Sequence, residues 1–141
     1  MALTVRQLNR ATLERQLLLR RARLPIVEAV RRVVALQAQE PVSPYIAMWN
    51  RIDRFRPAQL DEAFTAREIV KASLMRITLH AVHTDDYTAF HTAMLRNLRA
   101  SRLHDDRFKV TGLSIAEADA LVPPLVELTS QPGPRPRSKS Y

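Results

Sequence analysis

The chain has 141 residues, of which 46% are hydrophobic and 26% charged, and these are ordinary values for one globular domain. It contains no Cys, which excludes both a disulfide framework and a thiolate metal site. The N-terminus lacks the apolar core of a signal peptide, and no apolar run approaches the ~18 residues of a membrane span. We therefore expect a soluble cytoplasmic protein that does not enter a membrane.

The net charge of +8 is unevenly distributed along the chain. Residues 1–39 carry eight Arg against two Glu, a net charge of +6, whereas residues 40–130 are close to neutral. Of the 22 basic residues 19 are Arg, whose planar guanidinium suits phosphate oxygens. This distribution favours a polyanionic partner, most simply nucleic acid. Composition alone leaves the alternative of solvated surface charge open.

The first predicted helix begins after Thr4, an N-cap candidate, and runs to about Leu19. Arg6 and Arg10 lie at its exposed or flanking positions and are candidate phosphate contacts. Its predicted buried side consists of Leu8, Ala11, Leu13, Leu17 and Leu18.

A second helix is predicted from Pro25 to near Gln39, because Pro suits a first helical turn and Pro41 disfavours helix before it. Its apolar residues recur at steps of three and four and are Ile26, Val27, Val30, Val33 and Val34. Arg31 and Arg32 fall away from this apolar row and are further candidate DNA contacts.

The end of this helix carries a Gln-Ala-Gln triplet in which an amide, Gln37, stands where the apolar row would continue. In an ideal helix the side chains of Gln37 and Gln39 would point nearly opposite ways, but in an extended chain they would share a side. Such uncharged donors and acceptors can hold a water molecule or a sugar-phosphate group. Locally, the simpler alternative is that Gln37 caps helix carbonyls while Gln39 is solvated.

Two shorter helices are predicted next, one from Ser43 with Pro44 at its first position and one from Pro57. Trp49 and its aromatic neighbours could stack on nucleobases. At helical spacing, however, aromatic residues usually form core, and we predict a core position for Trp49.

Residues Ile69 to Leu74 and Ile77 to Val82 alternate as two short strands, although the turn near Met75-Arg76 contains no Gly. Helices followed by a β-hairpin are typical of a winged helix-turn-helix, so the predicted fold is mainly α with a small wing and additional helices. Three residues would then stand on or near the wing as candidate DNA contacts: Lys71, Arg76 and His80.

The remaining chain predicts a long helix from Thr84 and, capped by Ser114, a helix from Ile115 to Leu128 that Pro123-Pro124 must kink or break. We predict a first winged-helix module over residues 1–104, a helical linker or second-module start over 105–129, and a disordered basic tail over 130–141.

Several kinds of chemistry are excluded or disfavoured. Two Gly residues cannot form a Gly-rich phosphate loop, and there is no Gly-x-Ser-x-Gly elbow and no thiol nucleophile. His80 and His83 match no zinc spacing, and Asp85-Asp86 suits a helix start better than a carboxylate dyad. We predict no metal site and no small-molecule cofactor.

An ordered series of motifs over roughly residues 3 to 130 favours a functional role for the Gln triplet over the simpler local alternative. The series is Leu36-Gln37-Ala38-Gln39, Pro44-Tyr45, Trp49, Phe55-Arg56-Pro57 and Met75-Arg76-x-Thr78-Leu79-His80. It resembles the N-terminal third of the winged-helix DNA glycosylases that excise N7-alkylated bases and unhook interstrand crosslinks.

The resemblance implies that Gln37 and Gln39 match the family's Gln-x-Gln motif, which positions the water that attacks the sugar C1′. It also implies a double-stranded DNA partner, alkylated or crosslinked, association with the nucleoid and no cofactor. Two departures are visible: Ile77 occupies a position where the family has Gly, and the chain stops where a second module would start. We therefore expect a truncated or split member, with a non-catalytic DNA-binding module or an inert fragment that needs a partner chain as the alternatives.

Overall fold

A computed structural model describes residues 2–130, and these are mainly helical with a small antiparallel sheet, as predicted. The helices are α1 (Val5–Arg15), α2 (Ile26–Arg32), α3 (Ser43–Arg51), α4 (Pro57–Thr65), α5 (Thr84–Leu103), α6 (Asp106–Lys109), α7 (Ile115–Ala120) and α8 (Val122–Ser130). The strands are β1 (Leu36–Gln37), β2 (Ile69–Ser73) and β3 (Leu79–His83).

The chain divides into two compact units, one ending at Arg99 and the other starting at Ala100. The tail predicted over 130–141 lies, from residue 131, outside the described residues, and the module boundaries at 104 and 129 stay predictions. Within residues 2–130, no helix is both long and apolar enough to span a bilayer.

Helix α1 begins as predicted but buries nothing. Thr4 forms a capping box with Gln7, in which the Thr4 hydroxyl accepts from the Gln7 amide (3.2 Å) and Gln7 Oε1 accepts from the Thr4 amide (2.8 Å). The helix ends at Arg15, short of the predicted Leu19, and Leu17 then takes a positive φ of 56°. The predicted buried side is wrong, because Leu17 alone of those five residues is buried and it lies beyond the helix.

Helix α2 is shorter than predicted, and the Gln triplet is not helical. The helix ends at Arg32, and Val34 adopts a φ of 76°, a left-handed conformation that reverses the chain direction. The chain continues as β1, in which Leu36 lies opposite Ala81 of β3. The prediction of a helix to Gln39 was wrong because pairing with a strand more than 40 residues away outweighed the local proline signal.

The core forms where α2, α3 and α4 meet the sheet. α2 contributes Ile26 and Val30, α3 contributes Met48, and α4 contributes Leu60, each at most 6% exposed. Burying such side chains stabilises a fold by roughly 1.5–3 kcal/mol each. The predicted start of α4 at Pro57 is confirmed.

The sheet has the order β1-β3-β2, with β3 in the centre and both neighbours antiparallel to it. The predicted hairpin is present, but its second strand starts at Leu79, two residues later than predicted. Met75–Ile77 forms a 3-10 turn, in which Arg76 and Ile77 have φ values of 54° and 61°. Positive φ suits Gly, and is strained for a β-branched residue such as Ile77.

The long helix predicted from Thr84 is confirmed as α5, and none of its residues is fully buried. In the second unit, Ser114 caps α7 in a capping box with Glu117, as predicted. Hydrogen bonds from Ser114 lower the pKa of the Glu117 carboxyl. The predicted break near the prolines is present between α7 and α8, and Pro123 and Pro124 lie in the first turn of α8, where missing amides cost little.

Candidate functional site

The Gln triplet begins at the last residue of the edge strand β1, and Gln37 and Gln39 are both exposed. Leu36 and Ala38 are 3% and 0% exposed, whereas Gln37 and Gln39 are exposed to solvent. This alternation is that of an extended chain, although β1 itself ends at Gln37 and Gln39 lies two residues beyond it. The placement arises from Val34, because its left-handed turn ends α2 before the triplet begins.

The two glutamines differ in what they contact. The Ala38 amide donates to the Leu79 carbonyl at 2.8 Å, and the Leu79 amide donates to Gln39 Oε1 at 3.2 Å. The side chain of Gln39 thus continues the hydrogen bonding of β1 to β3, which holds its amide in one orientation. The Gln37 side chain has no hydrogen bond to any residue of 2–130, so its carbonyl and NH₂ groups are available to a ligand.

Gln37 lines an open cleft of about 330 Å³ between β1 and α3. The other lining residues are Ala35, Leu36, Ser43, Ile46, Ala47 and Arg51. The cleft therefore combines an unengaged amide, a hydroxyl and a cation with an apolar floor. That combination is typical of small-ligand sites, in which a few polar groups orient the ligand.

Arg51 is a fixed cation at the wall of this cleft and was not among the predicted site residues. Its Nη1 donates to the Ala47 carbonyl and its Nε to the Gln16 carbonyl, both at 2.9 Å. Partial burial lowers the pKa of Arg51, but an arginine stays protonated at neutral pH. Its spacing could have revealed it, because Ser43, Ala47 and Arg51 recur every four residues along one helix face.

The predicted phosphate contacts before the triplet are placed differently from one another. Arg6 and Arg10 are exposed on α1, and Arg32 is exposed at the end of α2. Arg31 instead lies near the first turn of α5, with Nη1 3.7 Å from Asp85 Oδ2 and Nε 3.5 Å from Asp86 Oδ2. Such exposed pairs are weak and contribute roughly 0–1 kcal/mol each, so Arg31 can exchange its aspartate partners for another anion.

On the hairpin, Lys71 and Arg76 are exposed, whereas His80 is buried. His80 is 6% exposed, and its Nδ1 lies 2.9 Å from the Thr78 carbonyl oxygen. Because a carbonyl can only accept, Nδ1 carries a proton in this arrangement. His80 presents little side-chain surface, and its role as a DNA contact stays a prediction.

Trp49 is not a core residue, contrary to prediction. It is 55% exposed, and the guanidinium carbon of Arg21 lies 4.4 Å from its ring centroid in a cation–π contact. Together with Tyr45, Ile46, Phe55 and Pro57 it lines a second, almost wholly apolar cleft of about 200 Å³. The helical spacing of the aromatic residues was identified correctly, but the face they occupy has no covering element among the described residues.

Tyr45 is fixed at the border of this apolar cleft. Its hydroxyl donates to Asp61 Oδ1 at 2.5 Å, and this hydrogen bond, with partial burial, raises the pKa of Tyr45 to about 12. Tyr45 also contributes to a third cleft, whose other lining residues are Pro41, Pro44, Phe64 and Lys71. Because its pKa is raised, the Tyr45 hydroxyl is a neutral donor throughout the physiological pH range.

Comparison with known proteins gives one match, to a protein family. A family model described as DNA glycosylase AlkZ-like matches residues 30–139. No curated protein and no solved structure gives a significant match. The matched range includes the Gln triplet, α3 and the hairpin, whereas α1 with Arg6 and Arg10 lies before it.

Proposed function

Because the chain belongs to the AlkZ-like DNA glycosylase family, we propose that it is a winged-helix module that binds duplex DNA and hydrolyses the glycosidic bond of N7-alkylated or crosslinked bases. It would correspond to the N-terminal module of such enzymes and associate with the nucleoid. One observation carries the proposal: Gln37 at the end of β1 and Gln39 just beyond it are both exposed, and Gln37 lines a cleft that also holds Arg51.

The order of elements supports the winged-helix part of the proposal. The chain runs α2-β1-α3-α4-β2-β3, and the first short strand joins the hairpin beside its second strand. The turn at Met75–Ile77 would be the tip of the wing, with Arg76 exposed at it. A wing and a helix pair of this kind are suited to a DNA backbone and groove.

The chemistry requires little of the protein. Alkylation at N7 makes the base a cationic leaving group, so a general acid is unnecessary. Amide groups cannot take up a proton, but their carbonyl dipoles can orient an attacking water and stabilise an oxocarbenium-like sugar. In this scheme Gln37, whose amide is unengaged, holds the water, while Gln39, held by the Leu79 amide, assists from a fixed orientation. The bond from C1′ to the base nitrogen breaks and the alkylated base leaves as a neutral molecule, while the water oxygen bonds to C1′ and its proton passes to solvent.

DNA contacts would come from the exposed cations. Arg6, Arg10, Arg32, Lys71 and Arg76 are exposed, and Arg31 would have to exchange its aspartate partners for a phosphate. Each phosphate contact releases condensed counterions, so the affinity should fall steeply with salt. The reacting nucleotide must also leave the base stack, because C1′ is inaccessible inside a duplex.

A second candidate is a DNA-binding module without catalysis, or an inert fragment that a partner chain completes. The observation that favours it is the exposed apolar surface of α1 and α8, where Val5 is 74% and Leu128 72% exposed. Surfaces of this kind are often covered by another protein or domain.

Release of 7-methylguanine from alkylated duplex DNA, followed by chromatography with protein in excess, tests the proposal. We expect release by the full chain and a duplex affinity that falls with salt with a slope of several units. Salt-dependent binding without release would leave the non-catalytic module. Weak binding that does not respond to salt would leave the inert fragment.

A further inference from the structure

The second cleft, on the outer side of α3, has no role in the proposed reaction. It is lined by Tyr45, Ile46, Trp49, Phe55 and Pro57, and its surface is almost entirely apolar. Ile46 and Trp49, which lie three residues apart on α3, are 53% and 55% exposed. Such a concentration of exposed apolar side chains costs solvation free energy unless something covers it.

This apolar cleft adjoins the cleft of Gln37. Ile46 lines both clefts, so they meet at this side chain. A strand of nucleic acid places its bases at regular short intervals along a flexible backbone. A nucleotide positioned at Gln37 would thus bring a neighbouring base within reach of the Trp49 ring.

The surroundings of Trp49 are cationic. The segment that contains Arg20, Arg21 and Arg23 runs beside the end of α3, because the Ala22 amide donates to the Arg51 carbonyl (2.7 Å) and the Asp53 amide donates to the Ala22 carbonyl (2.9 Å). Arg21 lies against the Trp49 ring, and Arg20 and Arg23 are exposed.

Two carboxylates, Asp53 and Asp61, contact residues of this region, and its three arginines outnumber them by one. Asp53 pairs with Arg23 at 3.1 Å, and Asp61 accepts the hydroxyl of Tyr45. Exposed aromatic rings within a positive surface are the combination that binds unpaired nucleobases, since every base offers a stacking face. An apolar segment of another protein would gain nothing from the arginines.

We propose that the cleft at Trp49 binds an unstacked nucleobase of the DNA strand whose neighbouring nucleotide lies at Gln37. This inference rests on the proposed function for its choice of DNA. The base stacks on the face of the Trp49 ring that Arg21 does not cover, with Tyr45 and Phe55 at the sides of the cleft, and Arg21 supplies a cation to the adjacent phosphate. The site is thereby specific for DNA in which at least one base is unpaired or easily unpaired.

Trp49 is the only tryptophan of the chain, so its fluorescence reports on this cleft alone. The full chain would be titrated with two duplexes of equal length and charge, one fully paired and one with a single unpaired base. We expect saturable quenching with the second duplex and weak quenching with the first. Absence of quenching at saturating unpaired DNA would overturn the proposal.

Substitutions separate stacking from charge. Affinities would be measured by anisotropy of labelled DNA. We expect Trp49→Ala to weaken binding of the unpaired-base duplex by about 5- to 100-fold, while Trp49→Phe stays within about threefold of the parent. Trp49→Leu, which keeps an apolar group but has no ring, should resemble Trp49→Ala. Equal effects on both duplexes, or no effect of Trp49→Ala, would contradict base stacking.

Two controls separate base stacking from dimer formation and from glycosylase activity. Light scattering tests whether the wild-type chain is a dimer that Trp49→Ala converts to a monomer, and that result would assign the cleft to a second copy and overturn the proposal. Release of 7-methylguanine is measured in parallel. If release is absent while quenching and base selectivity persist, the glycosylase proposal fails and the stacking site stands, and the reverse result rejects the stacking site alone.

Discussion

Helices α1 and α2 resemble each other in sequence and differ in what they bury. Both carry apolar residues at helical spacing and two or more arginines, yet α2 buries Ile26, Ala29 and Val30, whereas α1 buries no residue. The difference arises outside both helices, because β3 and α4 pack against α2 and, among residues 2–130, no element packs as extensively against α1. Helical periodicity therefore identifies a face that can be buried, and tertiary structure decides whether it is buried.

The two helices also differ in their relation to the candidate site, because α2 positions the Gln triplet and α1 carries predicted DNA contacts. The helix that buries its face leads directly into the Gln triplet through the turn at Val34. The exposed helix contributes Arg6 and Arg10 and lies before the range that the glycosylase family model matches. We expect substitutions in the two regions to act on stability and on DNA affinity, respectively.

The largest expected effect compares two Leu→Ala substitutions. Leu60 in α4 is fully buried and Leu8 in α1 is 50% exposed. Leu60→Ala should lower the free energy of unfolding by about 3 kcal/mol, and Leu8→Ala by less than about 0.5 kcal/mol. Urea denaturation followed by circular dichroism measures both. Similar losses would show that α1 packs against a surface in solution.

The next effect concerns the turn of the hairpin, where Ile77 has a φ of 61°. Ile77→Gly and Ile77→Ala remove the same contacts, but only Gly adopts this conformation without strain. Ile77→Gly should therefore be more stable than Ile77→Ala by about 1 kcal/mol, which reverses the usual order of the two residues. Thermal unfolding of the two variants gives the answer, and Ala at least as stable as Gly would place Ile77 outside the left-handed region.

Removal of the N-cap of α1 should act locally. Thr4→Ala takes away the hydroxyl that caps the helix, at a cost of about 1 kcal/mol to α1. Because α1 buries nothing, hydrogen exchange of its amides should accelerate while the midpoint of global unfolding stays unchanged. A shift of the global midpoint would indicate that α1 folds cooperatively with the core.

The smallest effect is a titration. Asp61 raises the pKa of Tyr45 to about 12, so the folded state favours the neutral hydroxyl. The resulting stabilisation is complete below the ordinary tyrosine pKa near 10 and is lost as the pH rises through 12; for this partly exposed group it is at most about 1 kcal/mol. Ultraviolet absorption should show one of the three tyrosines titrating late, and Tyr45→Phe should remove that component.

The sequence predicted local features well and non-local ones poorly. Four local features were predicted, because each depends on neighbouring residues. They are the start of α4 at Pro57, the helix caps Thr4 and Ser114, and the hairpin. The end of α2 was missed, since it depends on strand pairing with β3 and on a left-handed Val34 that no propensity favours.

Within the candidate site, the residue types were predicted better than their surroundings. Gln37 and Gln39 were singled out, and the extended geometry that brings them to one side was considered, but a helix was expected. Trp49 was predicted to lie in the core and is exposed, because helical spacing does not reveal which face another element covers. Arg51 was missed because its role depends on a cleft formed with β1.

The central claim is that the unengaged amide of Gln37 holds the attacking water on a strand edge that is already in place. Single-turnover release of 7-methylguanine by Gln37→Ala tests it most directly, with DNA affinity measured on the same preparation. We predict a rate lower by about 100-fold or more and an unchanged affinity, because the lost group acts on the transition state. A rate equal to that of the wild type, with binding intact, would contradict the claim.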